Sequence, residues 1–98
     1  MTPEFEWDAH KAEANLKNHG VSFEEALTVF ADPLGNIFDD LDHSTGERRE
    51  LIVGYSAEHR LLVVSFTERN TRTRIITARE ATARERRDYE KNKDKQPT

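Results

Sequence analysis

Three consecutive segments, "RRELIVGY" (48–55), "RLLVVSFT" (60–67) and "TRTRIITAR" (71–79), most narrow what this chain can fold into. The first alternates Arg49, Leu51, Val53 and Tyr55 against Glu50 and Ile52. The second is a continuous apolar run, as in a central strand covered on both faces. The third sets Arg72, Arg74, Ile76 and Ala78 against Thr73, Ile75, Thr77 and Arg79. The links between them, "SAEH" and "ERN", are too short for a crossover, so neighbouring strands must run antiparallel.

The segments before this block change period. "PEFEWD" reads as a short strand, with Phe5 and Trp7 alternating against Glu4 and Glu6. Asp8 is placed to cap a helix running to about His19, with an apolar stripe of Ala9, Ala12 and Leu16 and a stop at Gly20. Ser22 and Glu25 have the capping-box spacing, which opens a second helix with Phe23, Ala26, Leu27 and Phe30 on its buried side. Asp32-Pro33 ends it, because a residue before proline avoids the helical region. "GNIFDD" is a further short strand and "DLDHSTGE" a turn. After the strand block, Thr82 and Glu85 repeat the capping box and open a helix to about Lys91 with only Ala83 and Tyr89 as apolar side chains. The expected order is β-α-α-β-β-β-β-α. This is an α+β domain: an antiparallel sheet with two helices on one face, a C-terminal helix, and a remaining face left partly open. Residues 1–91 form one domain, and the coreless "KNKDKQPT" predicts a disordered tail over 92–98.

Composition excludes several classes. The 98 residues include no cysteine, so there is neither a disulfide framework nor a thiolate metal site. No signal peptide or spanning apolar run is evident, and the chain reads as cytoplasmic with no membrane association. His10, His19, His43 and His59 share no ligand spacing, so no metal or other cofactor is expected. "DDLDH" (39–43) lacks the glycine and terminal glutamate of a calcium loop and reads as a solvated turn.

Charge is the feature left over. Residues 1–46 carry two lysines, no arginine and ten acidic residues, a net of −8, while residues 47–98 carry thirteen basic and nine acidic ones, a net of +4. All ten arginines lie in the second half, six of them within "TRTRIITAREATARERRDYE" (71–90). Arginine binds phosphate through a planar two-pronged fork. RNA can be cut without metal: a base takes the 2′-hydroxyl proton, that oxygen attacks the adjacent phosphate, and an acid protonates the leaving 5′-oxygen. Fixed cations stabilise the charge that builds on the phosphate. Arg72 and Arg74 share a strand face. Arg79 falls on the other by strict alternation, although it ends the strand. Arg48 or Arg49 opens an earlier strand, and Arg84 and Arg87 follow on the helix. Any one of these arginines is readily explained by pairing with the acidic first half, whereas the cluster as a whole points to phosphate. His19 suits a proton carrier or a C-terminal residue favoured by the helix dipole. Glu85 suits a carboxylate base or a cap. Tyr89 could donate a proton, stack on a base, or anchor its helix.

The motifs "FEWD", "NLKNHGVSFEEALTVFADP", "RRELIVGYS", "LLVVSFTER" and "RIITAREATARERRDYE", in this order and spacing, resemble the BrnT family of bacterial toxins over about residues 5–90. The family often has a basic residue where this chain has Asn18, with Lys17 beside it, and "ISAR" where this chain has "ITAR". The resemblance implies a RelE-like ribonuclease that cuts RNA and slows translation. It also implies a BrnA-type antitoxin that neutralises the toxin and carries the complex to operator DNA. On that reading Arg74 and Arg79 engage the scissile phosphate, Arg48 a neighbouring one, and His19 carries the proton. Lys11, Lys17, Arg86 and Arg87 steer RNA. The alternative is a non-catalytic module that holds nucleic acid or a partner peptide on the same basic patch.

Overall fold

The structure is a computed structural model that describes residues 4–41 and 46–95, the last four by backbone alone. Its elements are β1 (Glu4–Glu6), α1 (Ala9–His19), α2 (Phe23–Thr28) extended by a 3₁₀ turn (Val29–Ala31), β2 (Asn36–Asp39), β3 (Glu50–Tyr55), β4 (Leu61–Arg69), β5 (Arg72–Glu80) and α3 (Ala83–Lys95). The helix α3 continues past the expected end near Lys91, so residues 92–95 belong to it rather than to a tail. Residues 96–98 lie outside the described residues, as do Asp42 and His43 of the expected "DDLDH" turn.

The five strands form one sheet in the order β1-β5-β4-β3-β2. The pairs β2–β3, β3–β4 and β4–β5 are antiparallel, as their short links require. The β1–β5 pair is parallel, with Phe5 opposite Thr73, so the sheet is mixed rather than antiparallel throughout. No short link joins those two strands, and local sequence placed no constraint on their relative direction.

Helices α1 and α2 pack on one face. Val21, Phe23, Ala26 and Val29 meet Ile52, Leu62, Val64, Phe66, Ile75 and Ala78 in a core cluster, with Phe5, Trp7 and Phe30 at its margin. Phe23 is fully buried and Trp7 meets it edge-on, ring centroids 6.0 Å apart. The expected stripe of α1 holds only at Ala12, which packs against the core, while Ala9 is exposed. Leu16 is 52% exposed, and the residue α1 buries is Asn15. Its side-chain amide donates to Val21 O (2.9 Å) and Ala78 O (2.8 Å) and accepts from Ala78 N (3.1 Å). β1 pairs β5 only as far as Arg74, so Asn15 satisfies main-chain groups on the part of β5 that β1 does not reach.

The Ser22 half of the first capping box forms, with Ser22 Oγ accepting from Glu25 N at 3.0 Å. The reciprocal half does not. The buried Glu25 carboxylate instead accepts from Ser56 Oγ (2.7 Å) and from Arg60, tying α2 to the β3–β4 turn.

On the opposite face, Val53, Leu61, Val63 and Tyr89 form a smaller cluster beside Leu34, Leu51, Tyr55 and Ala81. Tyr89 anchors α3 there. Its hydroxyl donates to Asp32 Oδ2 (2.8 Å), which also accepts from Tyr55 N (2.7 Å). Burial and this carboxylate both raise the Tyr89 pKa, so the phenol stays protonated. Gly54 makes room for the hub: a Cβ there would sit 3.0 Å from Asp32 Oδ2 and 3.1 Å from Val29 Cγ1.

Candidate functional site

The β4–β5 ladder contains an irregularity that strict alternation does not anticipate. Ser65 lies opposite Thr77, but the next residue, Phe66, lies opposite Ile75, so Ile76 is one residue extra on β5. Such a bulge reverses the facing of everything beyond it. Before it, Thr73 and Ile75 are buried on the helix side; after it, Ala78 is buried there. Arg79 therefore shares the α3-side face with Arg72 and Arg74, contrary to the expectation from period two.

Past the bulge the strand meets α3 through a complete capping box. Thr82 N donates to Glu85 Oε1 (2.8 Å) and Glu85 N donates to Thr82 Oγ1 (3.1 Å). The same carboxylate grips Arg79 end-on, Nη1 to Oε1 at 2.8 Å and Nη2 to Oε2 at 2.9 Å. The Arg79 guanidinium, with the cap, lowers the Glu85 pKa to about 2. Glu85 is thus ionised at any physiological pH and too weakly basic for a general base. It fills the anion-favouring position at the start of α3 that a phosphate could otherwise have taken. Nη1 of Arg79 also donates to Glu80 O (3.3 Å). The Nε–H bonds nothing among the described residues, so the Nε/Nη2 edge of the fork is open.

Arg79 borders a polar hollow of about 280 Å³ with Asp40, Arg49, Ser65, Ile76 and Thr77 around a floor of Leu51 and Val63. Behind the β5 edge lies another of about 240 Å³, lined by Lys11, Ala14, Asn15, Asn18 and His19. Ile76 and Thr77 line both, so the bulge is the wall between them. The structure thus brings Arg79 and Glu85 together, and His19 and Lys11 together across the wall. A larger hollow, about 710 Å³, is lined by Phe5, Phe30, Tyr55 and neighbours and has no cationic side chain among its lining residues.

The remaining candidates are dispersed. Arg48 lies outside the hollow, 72% exposed in its side chain and bonded to Asp39 Oδ1 at 2.7 Å; the residue that lines the hollow is its neighbour Arg49. Arg74 Nη1 is 3.1 Å from Glu6 Oε2, and Arg72 reaches Glu4 (3.1 Å) and Glu6 (3.6 Å). Arg86 donates to Tyr55 Oη (3.1 Å). Lys17 and Arg87 are exposed. Tyr89 is 4% exposed and occupies the anchor position in the core, not an open surface. Asp40, Ser65 and Thr77 were not singled out for the site from sequence, and Arg49 only as an alternative to Arg48, because only the bulge and the β3–β4–β5 register gather them. The exposed pairs Arg48–Asp39 and Arg72–Glu4 are of a kind that contributes about 0–1 kcal/mol each, so a polyanion can displace their carboxylates, whereas Arg74–Glu6 is partly buried. Among the described residues no group of three or more His, Asp or Glu side chains could hold a metal ion, and no helix is long and apolar enough to cross a membrane.

A family profile described as "Ribonuclease toxin, BrnT, of type II toxin-antitoxin system" matches residues 7–85. A comparison with curated protein sequences found no match. Among solved structures, the chain is similar to the Brucella abortus ribonuclease toxin BrnT, crystallised at 1.1 Å resolution. The two share 19% identity over 83% of this chain and 99% of that one, with a TM-score of 0.64. At that identity the likeness is one of fold.

Proposed function

This chain belongs to the BrnT family of ribonuclease toxins of type II toxin–antitoxin systems, and from that premise we propose that it is a metal-independent endoribonuclease with a RelE-like fold. The observation that carries the reading is Arg79, clamped by Glu85 at the rim of the polar hollow with one edge of its fork open. A preorganised guanidinium stabilises charge that develops on the phosphate during attack by the 2′-hydroxyl. Arg49 supplies a second cation to the same hollow. Arg74 and Arg48 bind neighbouring phosphates by exchanging Glu6 and Asp39 for them. Lys11, Lys17, Arg86 and Arg87 steer the strand electrostatically.

Proton transfer falls to His19. It lines the hollow on the other side of Ile76 and Thr77, the two residues that also border the Arg79 hollow. Glu85 serves better as the counter-ion that orients Arg79 than as the base. The reaction leaves a 2′,3′-cyclic phosphate and needs no cofactor. In the cell, a cytoplasmic protein of this kind slows translation by cutting RNA. A BrnA-type antitoxin neutralises it by covering the basic face, and the complex reaches operator DNA only through that antitoxin.

The deciding experiment incubates purified protein with RNA in excess EDTA and identifies the ends. Cleavage with cyclic-phosphate ends is expected. Activity lost in EDTA and restored by a divalent ion would overturn the mechanism. RNA binding with no cleavage at all would favour a non-catalytic module, in which the paired arginines serve only affinity.

A further inference from the structure

Beside the polar hollow lies a second one of about 160 Å³. Its floor is Leu51, Val53 and Val63, and Phe38, Asn36 and Asp88 stand at its rim. Leu51 and Val63 belong to both hollows, while Arg79 lines one and Glu85 the other. The Arg79–Glu85 ion pair therefore stands between them, and whatever occupies the second hollow adjoins whatever Arg79 binds.

Three features describe its occupant. The volume is well below the roughly 300–1,000 Å³ of pockets for drug-sized ligands and suits a single heterocycle. Phe38, on edge strand β2, is 48% exposed, an aromatic face left without cover on the side where its partner Leu51 points. The Asn36 amide and the Asp88 carboxylate bond nothing among the described residues, so hydrogen-bonding groups are free at the rim of an apolar slot. A nucleobase has this character: apolar flat faces and a polar edge. Sequence-specific RNA recognition works by splaying single-stranded bases onto aromatic side chains and reading their edges.

We propose that this hollow is a nucleobase subsite that receives the base adjoining the phosphate held by Arg79. Phe38 supplies the stacking surface and Asp88 reads the base edge. A carboxylate accepts only, so it selects a base that presents adjacent N–H donors. Guanine does so through N1–H and its amino group; uracil and cytosine do not. The subsite rests on the ribonuclease reading for its biological use, but its occupancy can be measured independently.

The test has two arms. In the first, wild type and the Phe38→Ala, Asp88→Asn and Ile37→Ala variants are titrated with the four nucleoside 3′-monophosphates, and backbone amide shifts at Phe38, Leu51 and Val63 are followed. Guanosine 3′-monophosphate should bind tightest and shift those amides. Phe38→Ala should weaken it about tenfold or more, the scale of a lost base stack. Asp88→Asn should level the four affinities. Ile37→Ala should change nothing, since Ile37 pairs with Ile52 of the helix-side core and faces away. In the second arm, short RNAs varied at the position beside the cut are digested. Wild type should prefer guanine there, and Asp88→Asn should lose that preference while still cutting. No shift at these amides, or a base preference untouched by both variants, overturns the subsite. So does an outcome in which Phe38→Ala abolishes binding of a protein partner and spares nucleotide binding, since the hollow is then a protein-docking surface. Nucleotide binding as described but no RNA cleavage would keep the subsite and sink the ribonuclease reading instead.

Discussion

Arg79 and Glu85 form one unit, and single substitutions should separate its two roles. Arg79→Ala is expected to remove most RNA cleavage, by roughly 2–4 kcal/mol of transition-state stabilisation. Arg79→Lys should rescue poorly, because one ammonium cannot hold Glu85 and a phosphate along two edges. Thermal unfolding on the same preparations distinguishes lost chemistry from lost fold. A folded Arg79→Ala protein with near wild-type cleavage would remove the residue from the mechanism. Glu85 gives a pH signature. Its folded-state pKa of about 2 lies below the ordinary 4.5. The stability it adds is therefore fully present above about pH 4.5 and is lost as pH falls through about 2. Glu85→Gln should cost about 1–2 kcal/mol at pH 7 once solvent screening of a partly exposed pair is allowed for, and much less near pH 2. Urea midpoints of both proteins across that range would show the difference shrinking. A constant offset would mean that the charge contributes nothing.

Two elements owe their placement to polar contacts that hydrophobic patterning does not record. α1 is held by Asn15, whose amide serves Val21 and both main-chain groups of Ala78. Asn15→Ala leaves these buried groups unpaired and should destabilise by about 2–3 kcal/mol, measured by denaturant unfolding. The Leu16→Ala change, at a half-exposed side chain, should stay within about 0.5 kcal/mol. The reverse ranking would restore Leu16 to the buried stripe. α3 is held by Tyr89, through its ring against Tyr55 and its hydroxyl on Asp32. Tyr89→Phe keeps the ring and orphans part of the Asp32 hub, so amide exchange in α3 should quicken before the sheet does. The bulge at Ile76 is the third such device. It turns Arg79 onto the face of Arg74 by adding one residue to β5; deleting Ile76 would straighten the strand and leave Arg79 opposite Val63, on that same face.

At the scale of the molecule, the acidic first half and basic second half neutralise each other locally. Arg48 pairs with Asp39, and Arg72 and Arg74 pair with β1. The exposed pairs are weak in water, and on the proposed function phosphates should exchange for their carboxylates. RNA affinity should accordingly fall with salt, with a slope in log K against log salt of about −0.7 per phosphate contacted. Arg74→Ala and Arg48→Ala should each flatten that slope by about 0.7 and weaken binding to all sequences alike. Asp88→Asn should leave the slope unchanged. An unaltered slope in both arginine variants would leave their carboxylate pairs as their whole role.

Alternation, capping chemistry and short links were enough to assign every strand and helix near its true place, because those signals are local. The resemblance in motif order was enough to point to the family. Ser22 and Asp8 cap where their spacing requires, and Gly20 ends α1 at φ 70°. The direction of β1, the inward turn of Asn15, the diversion of Glu25 to Arg60, and the facing of Arg79 were not legible. Each depends on a partner far away in the chain: Thr73 for Phe5, Ala78 for Asn15, Ser56 and Arg60 for Glu25, Phe66 for Ile75. A local pattern states which side chains want burial or a cap. Only the assembled sheet decides which main-chain edge is left open and where one extra residue reverses a face.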